Sequence, residues 1–369
     1  MQHTMDTRAH LLERSLDAGL APLEALTAAQ RMWRFVRDGD GAPDGRAAII
    51  GIEYSQSRGW RRIDVDGNRF EPQDGFFDSH PVWGEIRTVS VEGQIMVEIP
   101  AFYVRREHSG DAMRLWVSPQ PAAGFHRHAA FRLLGIDLPA VQVGAYEACP
   151  NGDVAGSLAG VDPLTRIDFP AMQRACRRHG GNGFGLWSIY ELSAIQTLVL
   201  IEVGSPDVQG EVGFGNVHGG GPKLTGSTSA CWRGIHELWG NVLHMVDGLQ
   251  HDPDGQILLW DEDGHGSWVH TGIQSAGLNS IGAIDGFRSE QAFADVFLPS
   301  AIGRSDDGAI LSDLYVAPDV GRPSVAYHGG NWSNGSRAGL FILYCNNTAS
   351  GSGSLIGGRL ARRVLHPET

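Results

Sequence analysis

The chain reads as an α+β protein, loop-rich, with short antiparallel strands and two main helices behind a helical N-terminal segment. Three observations lead there. Helical spacing is confined to a few segments, many short strand-like runs follow them, and glycine supplies 50 of 369 residues. That glycine content is roughly twice average usage and has no collagen period, so it marks turns. Hydrophobic residues at 42% and charged residues at 19% are those of a folded chain, long enough for a sizeable core.

Taken in order, residues 6–38 read as helical. Leu11, Leu12, Leu16 and Leu20 recur near helical spacing, and Pro22 can open a second helix running to about Val36. The run from Asp38 to Gly45 breaks the pattern. From Ala47 to Arg105 the reading is strands, with turns at Asp66-Gly67-Asn68 and Glu92-Gly93 and the strongest strand over Gln94–Val104. Phe169–His179 reads as a short helix closing at Gly180-Gly181. Ser188–Glu202 reads as a longer one, opened by Ser188-Ile-Tyr-Glu191 at capping-box spacing. Glycine-rich loops, an apolar island from His236 to Leu249 and further turns lead to the C-terminal tract. No internal repeat is visible. Two regions are expected, 1–90 (helical, then β-rich) and 91–369 (ligand-binding), with a variable stretch at about 327–360.

A formal charge of −13 argues against nucleic acid and anionic membranes as electrostatic partners. The short basic clusters Arg174, Arg177, Arg178 and Arg359, Arg362, Arg363 read as solvated faces or terminal charges. Cys149, Cys176, Cys231 and Cys345 are widely spaced and form no CxxC pair, so buried, reduced thiols are expected. The N-terminal residues lack the apolar run of a signal peptide, and Leu198–Val203 is interrupted by Glu202. A soluble product without membrane insertion is expected, cytoplasmic or associated with a phage particle.

Chemical motifs are sparse. Gly181-Asn-Gly183-Phe-Gly185 has the wrong spacing for a dinucleotide loop, and Pro222 between Gly221 and Lys223 spoils a phosphate nest. His126 and His128 lack a third metal ligand and read as loop or surface residues, while His236 and His244 make no HExxH motif and read as packed or surface histidines. Asp252-Pro-Asp254-Gly255 and Asp261-Glu-Asp263-Gly264 read as turns rather than cation loops. No nucleophile elbow or Ser/His/Asp triad is evident. Trp187, Trp232, Trp239, Trp268 and Trp332 read as core anchors. No cofactor and no resident metal are expected.

The C-terminal tract is the informative part. Phe341, Leu343 and Cys345 alternate with Ile342, Tyr344 and Asn346, so a strand would place the two sets on opposite faces. Gly351, Gly353 and Leu355 then interleave with Ser350, Ser352, Ser354 and Ile356. One parity can serve as a frame while the other remains free to change, a pattern that suits recognition rather than catalysis.

Several segments together resemble the formylglycine-generating-enzyme (sulfatase-modifying factor) branch of the C-type lectin fold. Gly183-Phe-Gly-Leu-Trp-Ser-Ile-Tyr-Glu191 is similar to that branch's Gly-Trp-x-Leu-Pro-Thr-x-x-Glu element. Gly240-Asn241-Val-Leu-His-Met245 is similar to its Gly-Asn-Val-Trp-Glu-Trp motif. Gly329-Gly-Asn-Trp332 and Ile356-Gly-Gly-Arg359 are similar to its Gly-Gly-Ser-Trp start and Gly-Phe-Arg end, with Gly358 in place of Phe. The resemblance covers roughly residues 95–369. The copper-binding cysteine pair of the enzymes falls here at about Asn334 and Gly339, and one thiol at Cys345 cannot form a two-sulfur site.

The tract itself resembles the variable region of diversity-generating-retroelement variable proteins, which use the same fold. Ser333, Arg337, Tyr344, Gly351, Gly353 and Leu355 stand where that region typically has Asn. The resemblance implies a non-enzymatic display protein, diversified at template adenines, that binds an unknown protein or cell-surface ligand. His328, Asn331, Ser333, Asn334, Arg337, Ile342, Tyr344, Asn346, Gly351, Gly353 and Leu355 would face that ligand. Trp332, Phe341, Leu343, Ile356, Arg359, Trp239 and Asn241 would form the scaffold. Other readings are a phage tail or structural component without diversification, and a copper oxidase that lacks its cysteines.

Overall fold

The computed structural model describes residues 45–109, 112–177, 183–261, 266–275, 281–288, 295–303 and 311–363. The helices expected over residues 6–38, the Gly180-Gly181 stop and most of Asp261–Gly264 lie outside these residues.

The chain is mostly sheet with few helices. Strands β1 (Ile50–Ser55) and β2 (Gly59–Asp64) form a hairpin, and β1 pairs on its other side with β6 (Ala112–Ser118), itself a hairpin partner of β5 (Tyr103–Ser109). A second five-stranded sheet contains β3 (Arg87–Val91), β4 (Gln94–Pro100), β7 (Ala140–Gly144), β8 (Phe184–Leu186) and β17 (Leu360–Arg363), in the order β8-β17-β7-β4-β3. The stretch expected as one strand over Gln94–Val104 therefore supplies two, β4 and the start of β5, in different sheets. The turn at Glu92-Gly93 closes the β3–β4 hairpin with both residues at positive φ (51° and 76°), as a two-residue hairpin loop requires. The boundary expected between residues 90 and 91 falls inside that hairpin, and strands on both sides of it share sheets.

The third sheet has nine strands. Its path runs β11 (Trp268–Gln274), β10 (Gln256–Trp260), β9 (Leu243–His251), β15 (Ser324–His328), β16 (Leu343–Asn347), β14 (Leu311–Val316), β12 (Ile281–Phe287) and β13 (Pro299–Gly303). Ile356–Gly357 adds a short parallel pairing to β9. The apolar island around residue 243 thus becomes the buried strand β9 near the centre of this sheet.

Helices α1 (Phe169–Arg177) and α2 (Ile189–Val203) are close to the predicted spans. Ser188 caps α2 in a full capping box, with Glu191 returning to the Ser188 backbone. At the other end Gly204 adopts φ 75° and donates to Leu200 O, while Arg62 donates to the carbonyls of Ile201 and Glu202, complementing the negative end of the helix. Thirteen of the 15 residues of α2 are buried, so the helix is covered on every side. One continuous apolar cluster joins Ile50, Trp83, Val97, Leu198, Trp239 and Phe341, so elements from all three sheets and α2 share a core.

Candidate ligand-binding surface

The tract begins at β15, whose five residues are all buried. Gly329 and Gly330 then turn the chain at φ 91° and 79°. A Cβ on Gly330 would lie 2.8 Å from that of Ala338, so both the backbone angle and the space require glycine. Asn331 Oδ1 accepts from the backbone N and Oγ of Ser333, and Asn334 Oδ1 accepts from Asn331 N. Asn334 Nδ2 donates to the Tyr344 hydroxyl at 2.8 Å.

The rest of this loop is held from outside the tract. Gln209 Nε2 donates to the carbonyls of Gly335 and Ala338, Gly335 N donates to Val217 O, and Trp332 is clasped between Asn241 O and Gly219 N. Farther on, Leu340 O accepts from Gln196 Nε2 (2.7 Å) and from His328 Nε2 (2.8 Å). Phe341 N donates to the buried carboxyl of Asp313, and the Phe341 ring packs on Phe297 and Phe287.

Behind the tract lies a buried polar frame. Asn241, at φ 57°, donates to Glu147 Oε2 and Lys223 O and accepts from Asn216 Nδ2 and Lys223 N, which satisfies its amide completely. Trp239 Nε1 donates to Gly213 O. Arg359 donates to Gly144 O, His236 O and Glu237 O, with its guanidinium over Trp187. His244 approaches Glu147 at 3.1 Å. Burial pushes the Glu147 carboxyl up and drives the His244 imidazole well below its usual range, so desolvation disfavours the charged form of each. Arg359 was read within its sequence cluster as solvated. It is fully buried, because three backbone carbonyls and an aromatic face replace its hydration.

Three of the residues expected to face the ligand are buried. Ile342 was expected to face outward and is 0% exposed. The neighbouring strand β14 runs parallel to β16 in the same sheet and lays Leu314 and Val316 against Ile342, so this end of the second face is covered, while Tyr344 and Asn346 farther along it stay half-buried. His328 and Asn331 are also buried, the first bonded to Leu340 O and the second occupied by its own turn. Trp332 and Ile356, expected to be buried, are only half-buried, and Trp268, expected in the core, is 38% exposed. The Gly351–Leu355 stretch is loop and not strand; only Ile356–Gly357 pairs.

Among the expected ligand-facing residues, Ser333, Arg337 and Leu355 are exposed, while Asn334, Tyr344, Asn346, Gly351 and Gly353 are half-buried. Phe341, Leu343, Trp239, Asn241 and Arg359 are buried. Gly358 is also buried, its carbonyl accepting from Ala148 N and its α-carbon hemmed in by Leu186 and Met172, which take the space a larger side chain would need.

Sequence reasoning missed Gln196, Gln209, Glu147 and Asp313. Gln196 left a trace as one of the polar residues, with Glu191, Ser193 and Thr197, inside a mainly apolar helix. Nothing local marked the other three. Cys345 is buried and its thiol is pushed up to about 12 by burial. Among the described residues no group of three or more His, Cys, Asp or Glu is placed to hold a metal ion, and no helix is long and apolar enough to cross a membrane.

No protein-family model and no curated protein matches the chain. Solved structures similar to it include Treponema denticola variable protein 1, with 12% identity, 76% of this chain and 99% of that one covered, and a TM-score of 0.36. PvdO from Pseudomonas aeruginosa gives 12% identity, 75% and 98% coverage, and a TM-score of 0.35. The P3c variant of Major Tropism Determinant gives 13% identity, 85% and 72% coverage, and a TM-score of 0.32. Similarity at these TM-scores establishes neither a shared fold nor a shared function.

Proposed function

We propose that this chain is a non-enzymatic ligand-binding protein with a C-type-lectin-like architecture, whose tract at about 327–360 displays a diversified recognition surface. One observation carries the reading. The backbone of the tract is fixed by groups outside it (Gln209, Asn241, Val217, Gly219, Gln196 and Asp313), while the side chains of Ser333, Arg337 and Leu355 face solvent. Side chains that do not hold the loop can change without cost to the fold.

The display set therefore becomes Ser333, Arg337, Tyr344, Asn346, Gly351, Gly353 and Leu355, with Asn334 as a half-buried link to Tyr344. Tyr344 and Arg337 supply aromatic area and directional hydrogen bonds, the residue types enriched at binding hot spots. The partner is a protein or cell-surface ligand, and a phage-particle location fits this role.

The test is the DNA flanking the gene. A near-identical repeat that differs from codons 328–358 chiefly at adenines, beside a reverse transcriptase gene, supports the reading. A genome without such a repeat overturns diversification and leaves a fixed recognition loop.

A further inference from the structure

A cleft of about 540 Å³ opens between α1, β8, β9 and the β10–β11 pair. None of its lining residues belongs to the 327–360 tract, so it stands apart from the display surface. Trp260 and Trp268 form one wall, with ring centroids 5.5 Å apart and planes at 77°. Trp268 is 38% exposed, a large aromatic face left open in a chain whose Trp187 and Trp239 are fully buried. Phe184 and Leu186 line it as well.

The polar wall is organised rather than incidental. Asp247 accepts from Gln173 Nε2 at 2.8 Å and from Gly248 N at 2.9 Å, and Arg177 Nη2 lies 3.7 Å from the same carboxylate. Arg363 is pinned by Glu191 (2.6 Å) and donates to Ser188 Oγ. Gly185 occupies the floor, and a Cβ built on it meets nothing within 4 Å.

The charges narrow the ligand. Among the described lining residues, Arg177 and Arg363 are each matched by a carboxylate, Asp247 and Glu191, so these groups leave neither an anion nor a cation an uncompensated partner. What the cleft offers is the open aromatic face of Trp268 together with a carboxylate, an amide and a guanidinium. A neutral molecule with an apolar face and a rim of hydroxyls satisfies both walls, because hydroxyls donate to Asp247 and accept from Gln173 or Arg177. We propose that this cleft is a saccharide-binding site, with a sugar ring stacked on Trp268 and its hydroxyls bonded to Asp247 and Gln173. No metal ion takes part in this arrangement.

The experiment is saturation-transfer NMR on the full chain in EDTA, with methyl α-D-mannopyranoside, methyl β-D-galactopyranoside and N-acetylglucosamine as probes. At least one glycoside is expected to receive saturation. Gly185→Phe fills the floor and abolishes the signal, with an unchanged circular dichroism spectrum. Trp268→Ala weakens binding about tenfold, the loss expected from exposing roughly 50 Å² of stacked apolar surface. Asp247→Asn, a conservative change at the rim, also reduces binding and supplies the test should Gly185→Phe fail to fold. Absence of transfer to all three glycosides overturns the proposal. So does transfer that survives unchanged in a folded Gly185→Phe, or in both Trp268→Ala and Asp247→Asn.

Discussion

Replacing Ile342 with Asn, the residue that a diversifying template would encode, separates a buried position from a displayed one. Ile342 is 0% exposed and packs with Leu314 and Val316. Loss of the buried aliphatic side chain costs about 2–4 kcal/mol, and an amide buried there without a partner adds about 1–3 kcal/mol. The expected destabilisation is therefore about 3–7 kcal/mol, a large part of the total for an ordinary domain. Ser333→Asn and Leu355→Asn, at exposed positions, should each stay within about 0.5 kcal/mol of the parent. Equilibrium urea unfolding of the three variants, followed by tryptophan fluorescence and far-ultraviolet circular dichroism together, reads these differences. An Ile342→Asn protein as stable as the parent would show that this face of β16 is open, and the division into frame and display residues would fall.

Other consequences follow from the same contacts. Arg359→Lys cannot span the carbonyls of Gly144, His236 and Glu237, and should lose about 2–4 kcal/mol in urea unfolding despite keeping its charge. Gly330→Ala forces a Cβ onto Ala338 at φ 79°, and thermal melts should show a cost of at least about 1–2 kcal/mol. Asp313 is raised to about 7 by burial, which outweighs the hydrogen bond from Phe341 N. Its folded value exceeds its unfolded one, so its contribution to stability is complete below about pH 4 and is lost as pH rises through about 7. Asp313→Asn should thus match the parent near pH 4 and exceed it above pH 7. Equal stability across that range would show that Asp313 is not a buried acid.

The sequence disclosed local structure well and coverage poorly. The capping box at Ser188 and Glu191 marks the start of α2 because both partners lie within one helical turn. Glu92-Gly93 marks a hairpin because the two-residue loop demands positive φ. Alternation through β16 shows that two faces exist. It does not show that β14 lies alongside and covers Ile342, so that burial was hidden in Leu314 and Val316, 28 and 26 positions earlier. His328 is buried by its bond to Leu340 O, 12 residues on, and Asn331 is occupied by the turn it makes with Ser333 and Asn334, which polarity alone did not distinguish from a displayed side chain. Arg359 looked solvated beside Arg362 and Arg363 because its acceptors are carbonyls more than 100 residues away in the chain. Within the tract the pattern anticipated the burial of Phe341 and Leu343 and the exposure of Ser333, Arg337 and Leu355.

Deep sequencing of codons 327–360 from a growing population of the source organism measures diversification at each residue. Substitutions are predicted to concentrate at codons 333, 337, 344, 346, 351, 353 and 355, and to spare Phe341, Ile342, Leu343, Asn331 and His328. A tract that is uniform across the population, or one that varies as freely at Phe341 and Ile342 as at Ser333 and Arg337, would contradict a diversified display surface carried on a fixed frame.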